Sequence, residues 1–196
     1  MVAVIASLSQ PAETESQAIA RALKRRDSDF IARLVAQYHY RLLRYLIYLT
    51  ARREHAEDLV QETWLRVLER AGQYDSRLRF EPWLFSIARN LAIDGLRKHQ
   101  PESLPEAEIP EVSGGASDGP SPFLAAAKNE DALRVAAALG QLEPIYREAL
   151  LLRFQEELSL EEIGLVAGAP VSTVASRIQR GLAKLRTSLE GETNAK

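Results

Sequence analysis

Phe80-Glu-Pro-Trp-Leu-Phe-Ser-Ile-Ala-Arg-Asn-Leu-Ala-Ile-Asp94 decides how this chain is read. It predicts a helix from Pro82 to His99, with Pro82 suited to the first helical position. At about 100° per residue, Leu84, Ile87, Ala88, Leu91 and Gly95 share one face. Trp83, Ser86, Asn90, Asp94 and Arg97 form a second stripe. A tryptophan among Ser, Asn, Asp and Arg is not placed like a core residue. Partial burial under the preceding loop is the plain alternative.

Upstream, Ala56-Glu-Asp-Leu-Val-Gln-Glu-Thr-Trp64 starts another amphipathic helix. Val60, Trp64, Val67, Leu68 and Ala71 make its core stripe, and Gly72 is placed to end it. The stretch from Ala56 to His99 therefore runs from acidic (Glu57, Asp58, Glu62) through aromatic to basic (Arg89, Arg97, Lys98). Before it, Thr14–Arg26 has helical spacing. A long helix then carries Ile31, Leu34, Val35, Tyr38, Leu42, Tyr45, Leu46 and Leu49, with Asp27 or Ser28 as its cap.

From Gln100 the composition changes. Five of the nine prolines fall between there and Ala127, among Glu102, Glu106, Glu108, Glu111 and Asp118. No amphipathic period persists, which predicts a flexible acidic linker. The expected organisation is a tail at 1–13, a helical domain at 14–99, a linker at 100–128, a second helical domain at 129–190 and a tail at 191–196. The fold class is all-α, and the second domain carries a helix-turn-helix.

That motif is read from Ser159–Arg186. Ser159-Leu-Glu-Glu162 is a capping-box pattern, Gly168 stops the short helix, and Ala169-Pro170 makes the turn. Ser172 is placed to cap the last helix, whose Val174, Ile178, Leu182 and Leu185 are expected to face inward. Gly164 permits close approach. Between Val171 and Arg186 stand Arg177, Arg180, Lys184 and Arg186 and no acidic residue, whereas Glu156, Glu157, Glu161 and Glu162 precede them. The two glutamate pairs read as helix-start charges. Ser172, Thr173, Ser176, Arg177, Gln179 and Arg180 offer groups for base edges and phosphates in a major groove. An ordinary solvated helix in a small bundle is the bland alternative.

The net charge of −2 argues neither for nor against a nucleic-acid partner, because the basic residues are clustered. There is no cysteine, hence no disulfide framework or thiolate metal site. His39, His55 and His99 lack metal-ligand spacing, and no phosphate loop or nucleophile motif occurs. We expect no catalysis, no cofactor and no metal. No stretch approaches the roughly 18 apolar residues of a membrane span, and Val2–Leu8 lacks a basic n-region.

Three motifs together resemble the extracytoplasmic-function (ECF) group of bacterial RNA polymerase sigma factors. They are Ala56–Trp64, Phe80–Asp94 followed by Arg97-Lys98, and Leu142–Arg186 with its Tyr146-Arg-Glu-Ala149, Leu158-Ser-Leu-Glu-Glu-Ile163 and Pro170-Val-Ser-Thr-Val174. The resemblance spans about Ser28 to Leu189, apart from the linker. It implies a cytoplasmic factor that binds core RNA polymerase and directs promoter-specific initiation, including melting. In this frame Asp58, Gln61, Glu62 and Leu65 would meet the beta-prime clamp helices, with further contacts to the beta subunit. Tyr74, Phe80, Trp83, Asn90, Arg97 and Lys98 would hold the minus-ten element. Ser172, Thr173, Ser176, Arg177, Gln179 and Arg180 would read the minus-thirty-five element. An anti-sigma factor, often membrane-anchored, is the implied regulator, without membrane insertion by this chain itself.

Ala175 and Gln179 depart from the family's frequent residues, which bears on promoter sequence rather than on general function. A conventional helix-turn-helix regulator with a helical sensor or dimerisation domain would explain residues 129–189 equally well. It would leave Trp83 beside Asn90 and Arg97 without a role.

Overall fold

A computed structural model describes residues 13–50, 52–99 and 130–193. The tail and linker expectations for 1–12, 100–129 and 194–196 lie outside the described residues. Within them the chain forms eight α-helices and no strand. These are α1 (Glu15–Arg25), α2 (Ser28–Thr50), α3 (Arg53–Glu69), α4 (Phe80–His99), α5 (Glu130–Gln141), α6 (Pro144–Phe154), α7 (Leu160–Ala167) and α8 (Val171–Thr193).

Local chemistry sets most of these ends. A capping box opens α1, where Gln17 N donates to Thr14 Oγ1 and Thr14 N donates to Gln17 Oε1. Asp27 caps α2 by accepting from Phe30 N at 3.1 Å, which leaves Ser28 as the first helical residue. Helix α3 stops at Glu69, and Ala71–Gln73 adds a turn of 3-10 helix before the loop. Helix α4 begins at Phe80, so Pro82 is its third residue rather than its first. Proline is tolerated there because the first-turn amides have no intrahelical acceptor to lose.

Helices α2, α3 and α4 pack into the N-terminal core. Tyr45, Leu46, Ala56, Val67, Leu84, Phe85 and Ala88 are fully enclosed, and the Phe85 ring meets Tyr45 edge to face at 5.1 Å. Helices α6, α7 and α8 form the C-terminal core around Leu152, Leu158, Ile163 and Val174, with α5 on α8.

The helix-turn-helix closes as its sequence indicates. Glu162 N donates to Ser159 Oγ and Ser159 N donates to Glu162 Oε2. Gly168 adopts φ +60°, the left-handed conformation a C-cap needs. A Cβ on Gly164 would stand 2.8 Å from the Ala169 carbonyl oxygen, so glycine is what lets the turn fold back on the helix.

Two expectations about α8 are corrected. The helix starts at Val171, with Val174 N donating to Pro170 O, so Ser172 lies inside the first turn rather than capping it. Leu182 is 42% exposed. The inward position belongs to Gly181, where a Cβ would meet Leu150 and Tyr146 at 3.2–3.3 Å. Helix α8 packs too closely on α6 at that level to admit a side chain.

The halves are in contact, α4 against α7 and α2 against α6. Their contact includes buried charge. Glu156 accepts from Arg41 Nε at 2.7 Å and from Arg44 Nη2 at 2.8 Å. Glu148 Oε1 accepts from Arg89 Nε and from Tyr45 Oη, both at 2.8 Å. Glu156 is therefore not a helix-start charge, and Arg89 is not part of an exposed basic end. Each carboxylate is neutralised by cations of the other half, as burial requires.

Candidate nucleic-acid interface

The loop before α4 brings three aromatic rings together. Tyr74 lies 5.2 Å from Trp83 and 5.4 Å from Phe80 between centroids, and Phe80 lies 5.9 Å from Trp83. Tyr74 Oη donates to Leu78 O at 2.8 Å, and Asp75 accepts from the Arg77 backbone and guanidinium. The Arg77 hydrogen bonds hold the exposed Asp75 carboxyl down at about 2. Tyr74 and Phe80 are buried, so in this arrangement they anchor the loop and support Trp83 from beneath. Burial also pushes the Tyr74 phenol upward. Trp83 is half-buried, Ser86 donates back to Trp83 O, and Asn90 is exposed one turn further on. Arg97 and Lys98 belong to the last turn of α4, and their side chains lie outside the described residues.

On α3, Asp58 and Gln61 are exposed and Leu65 is 57% exposed. Glu62 is half-buried and accepts from Arg66 at 2.8 Å. Trp64 points inward instead. Its indole Nε1 is buried without an acceptor at the edge of a groove of about 470 Å³ between α2 and α3. His39, Arg53, Glu57 and Gln61 also line that groove. Sequence periodicity placed Trp64 in the core but could not reveal the groove, which exists only once α2 and α3 are aligned.

On α8, Ser172, Gln179 and Arg180 are exposed, while Thr173, Ser176 and Arg177 are half-buried. Ser176 Oγ donates to Thr173 O, so its hydroxyl is engaged locally. Of the four basic residues, Lys184 pairs with Glu143 at 2.8 Å and Arg186 reaches Glu190 at 3.7 Å. Arg177 and Arg180 form no ion pair among the described residues. The positive field of the helix therefore falls on its first half, at an N-terminus already suited to phosphate. No group of three or more His, Cys, Asp or Glu among the described residues could hold a metal ion.

Residues 34–102 match the family model for sigma-70 region 2, and residues 132–185 match that for sigma-70 region 4. The ECF sigma factor SigW of Bacillus subtilis is 32% identical over 173 residues, covering 85% of this chain and 92% of SigW. The chain belongs to the ECF sigma factors. As such it directs promoter-specific transcription initiation with core RNA polymerase and promoter DNA as partners. The sigma factor CarQ of Myxococcus xanthus is 39% identical over 136 residues, covering 68% of this chain and 74% of CarQ. Two solved structures share the fold. One is the sigma factor RpoE with the anti-sigma factor NepR from Bartonella quintana. It has a TM-score of 0.61 and 22% identity, and covers 82% of this chain and 96% of that one. The other is CnrH with the cytosolic domain of CnrY, with a TM-score of 0.62 and 24% identity. It covers 89% of this chain and 96% of that one. Sigma factors are regulatory proteins rather than enzymes by family. No helix among the described residues is long and apolar enough to cross a membrane.

Proposed function

We propose that this sigma factor divides its work between residues 14–99 and 129–190. The first segment docks on the beta-prime clamp helices through Asp58, Gln61, Glu62 and Leu65, and accepts unstacked minus-ten bases. The second reads the minus-thirty-five duplex through Ser172, Thr173, Ser176, Arg177, Gln179 and Arg180, with the polymerase beta subunit as a further contact. The factor acts in the cytoplasm and transfers no chemical group.

The observation that carries this reading is the placement of Trp83 over Tyr74 and Phe80. A half-exposed ring on a rigid aromatic base gives a flipped base somewhere to stack, worth about 1–3 kcal/mol per base. Asn90, Arg97 and Lys98 follow on the same helix to contact base edges and phosphates. Tyr74 and Phe80 contribute as the base of that platform rather than as stacking faces.

An anti-sigma factor is the matching regulator. The solved relatives RpoE and CnrH are each held by such a partner or by its cytosolic domain.

Transcription from genomic promoter fragments with purified core polymerase tests the assignment. We expect specific starts, and permanganate reactivity in the melted segment that Trp83→Ala suppresses while leaving duplex binding by residues 129–190 intact. An unchanged permanganate pattern in Trp83→Ala would remove the stacking role. Absence of initiation together with dimeric binding to palindromes would instead favour a conventional regulator.

A further inference from the structure

Glu148 and Glu156 are the acidic residues buried among the described residues, and both belong to the C-terminal half. Their partners Arg41, Arg44, Arg89 and Tyr45 all belong to the N-terminal half. Neither carboxylate is neutralised by its own half in these contacts. If the halves separate, all six groups return to water.

That makes the contact separable. Desolvation offsets much of the Coulomb attraction in a buried ion pair, so a charged interface holds less firmly than an apolar one of the same shape. Arg44 Nε is buried there without an acceptor, a further cost that opening relieves. The rim pair Arg79–Glu162, at 3.4 Å and half-exposed, adds little.

The closed form also has the wrong span for its work. Elements centred near minus ten and minus thirty-five are about 25 base pairs apart, or about 85 Å of duplex at 3.4 Å per pair. A compact chain of this length has a radius of gyration of about 16 Å and is about 40 Å across. It cannot place Trp83 and Arg180 on their two elements at once. Residues 100–129 could bridge at most about 100 Å if fully extended, so the covalent chain permits the separation.

We propose that Glu148 and Glu156, clasped by Arg41, Arg44, Arg89 and Tyr45, form an intramolecular latch that keeps the free factor closed, and that docking on core polymerase opens it. The latch is an off state built into the chain, distinct from restraint by an anti-sigma factor. The role of core polymerase rests on the function proposed above; closure of the free protein does not.

The absence of cysteine lets spin labels be placed cleanly at Asp29→Cys and Thr187→Cys, both exposed and outside the binding surfaces. Electron–electron resonance should give one short interspin distance for the free protein and a longer one with core polymerase. Glu148→Gln/Glu156→Gln should populate the long distance without polymerase. It should also bind core at least about tenfold more tightly, the gain expected when a competent state rises from a tenth or less of the population to most of it. Arg41→Gln/Arg44→Gln opens the same latch from the other side and serves if the glutamate variant misfolds. A long distance in the free wild type, or a short one in both variants, overturns the latch. So does opening without a gain in core affinity. Failure of every form to bind core contradicts the docking assignment, and the free-protein distances then decide closure alone.

Discussion

Arg89 donates its Nε to Glu148 across 59 residues of sequence, with both side chains enclosed. The same carboxylate oxygen accepts from Tyr45, so one atom ties α2 and α4 to α6. Burial opposes the charge on Arg89, but Glu148 and Tyr45 outweigh it and hold the guanidinium protonated above its ordinary range. Glu148→Ala leaves two buried donors without their acceptor. Removing one partner of such a pair costs about 3 kcal/mol. The loss is bounded by the free energy that holds the halves together, because separation lets both donors reach water. A urea melt followed by tryptophan fluorescence should show an earlier midpoint, since both tryptophans report on the N-terminal half.

The Tyr45 phenol is pushed well above its usual value, first by burial and then by the Glu148 charge. The folded state therefore keeps this proton while the unfolded chain releases it above about pH 10. The unfolded state then binds fewer protons, so stability falls as pH rises past that point; below it the contribution is complete. Tyr45→Phe should flatten the alkaline limb of the stability profile. Phenolate absorbance of the wild type should show one tyrosine titrating only with unfolding that the variant lacks.

Gly164 and Gly140 form a matched pair of tests. A Cβ at 164 would press on the Ala169 carbonyl at 2.8 Å, and a Cβ at 140 would meet nothing within 4 Å. Gly164→Ala should destabilise by about 1–3 kcal/mol through overpacking of the turn. Gly140→Ala should stabilise by up to about 1 kcal/mol through helix propensity. Thermal melts of the two variants should move in opposite directions.

Arg180 is exposed on the first half of α8 with no ion pair among the described residues. Arg180→Ala should weaken binding to a minus-thirty-five duplex while core association stays unchanged. If the side chain holds a phosphate, all sequences weaken alike and the slope against log salt falls by about one. If it reads a base, one position loses about 1–3 kcal/mol of discrimination. Titrations at several salt concentrations with single-base variants separate the two. Loss of core association would contradict the division of labour between the halves.

Features controlled by near neighbours were legible in the chain. The Ser159–Glu162 capping box, the Gly168 stop and the core stripe of α2 each depend on residues within a few positions, where helical period and capping chemistry act. The same holds for the motifs that place the chain among the ECF sigma factors. Interior position on a helix was harder to read when packing distance decided it. Leu182 fits the apolar period, yet Gly181 takes the inward place because α6 lies too close for a side chain.

By itself, the sequence determined an all-helical chain with a helix-turn-helix, a Trp83 stripe that does not look like core, and membership of one family. Only the tertiary structure decided the fates of Arg89, Glu148 and Glu156. Their charges look like solvated helix-end residues in one dimension, because a carboxylate's environment depends on groups 59 to 115 residues away. Desolvation and pairing are properties of the assembled core, and no local pattern of residues specifies them.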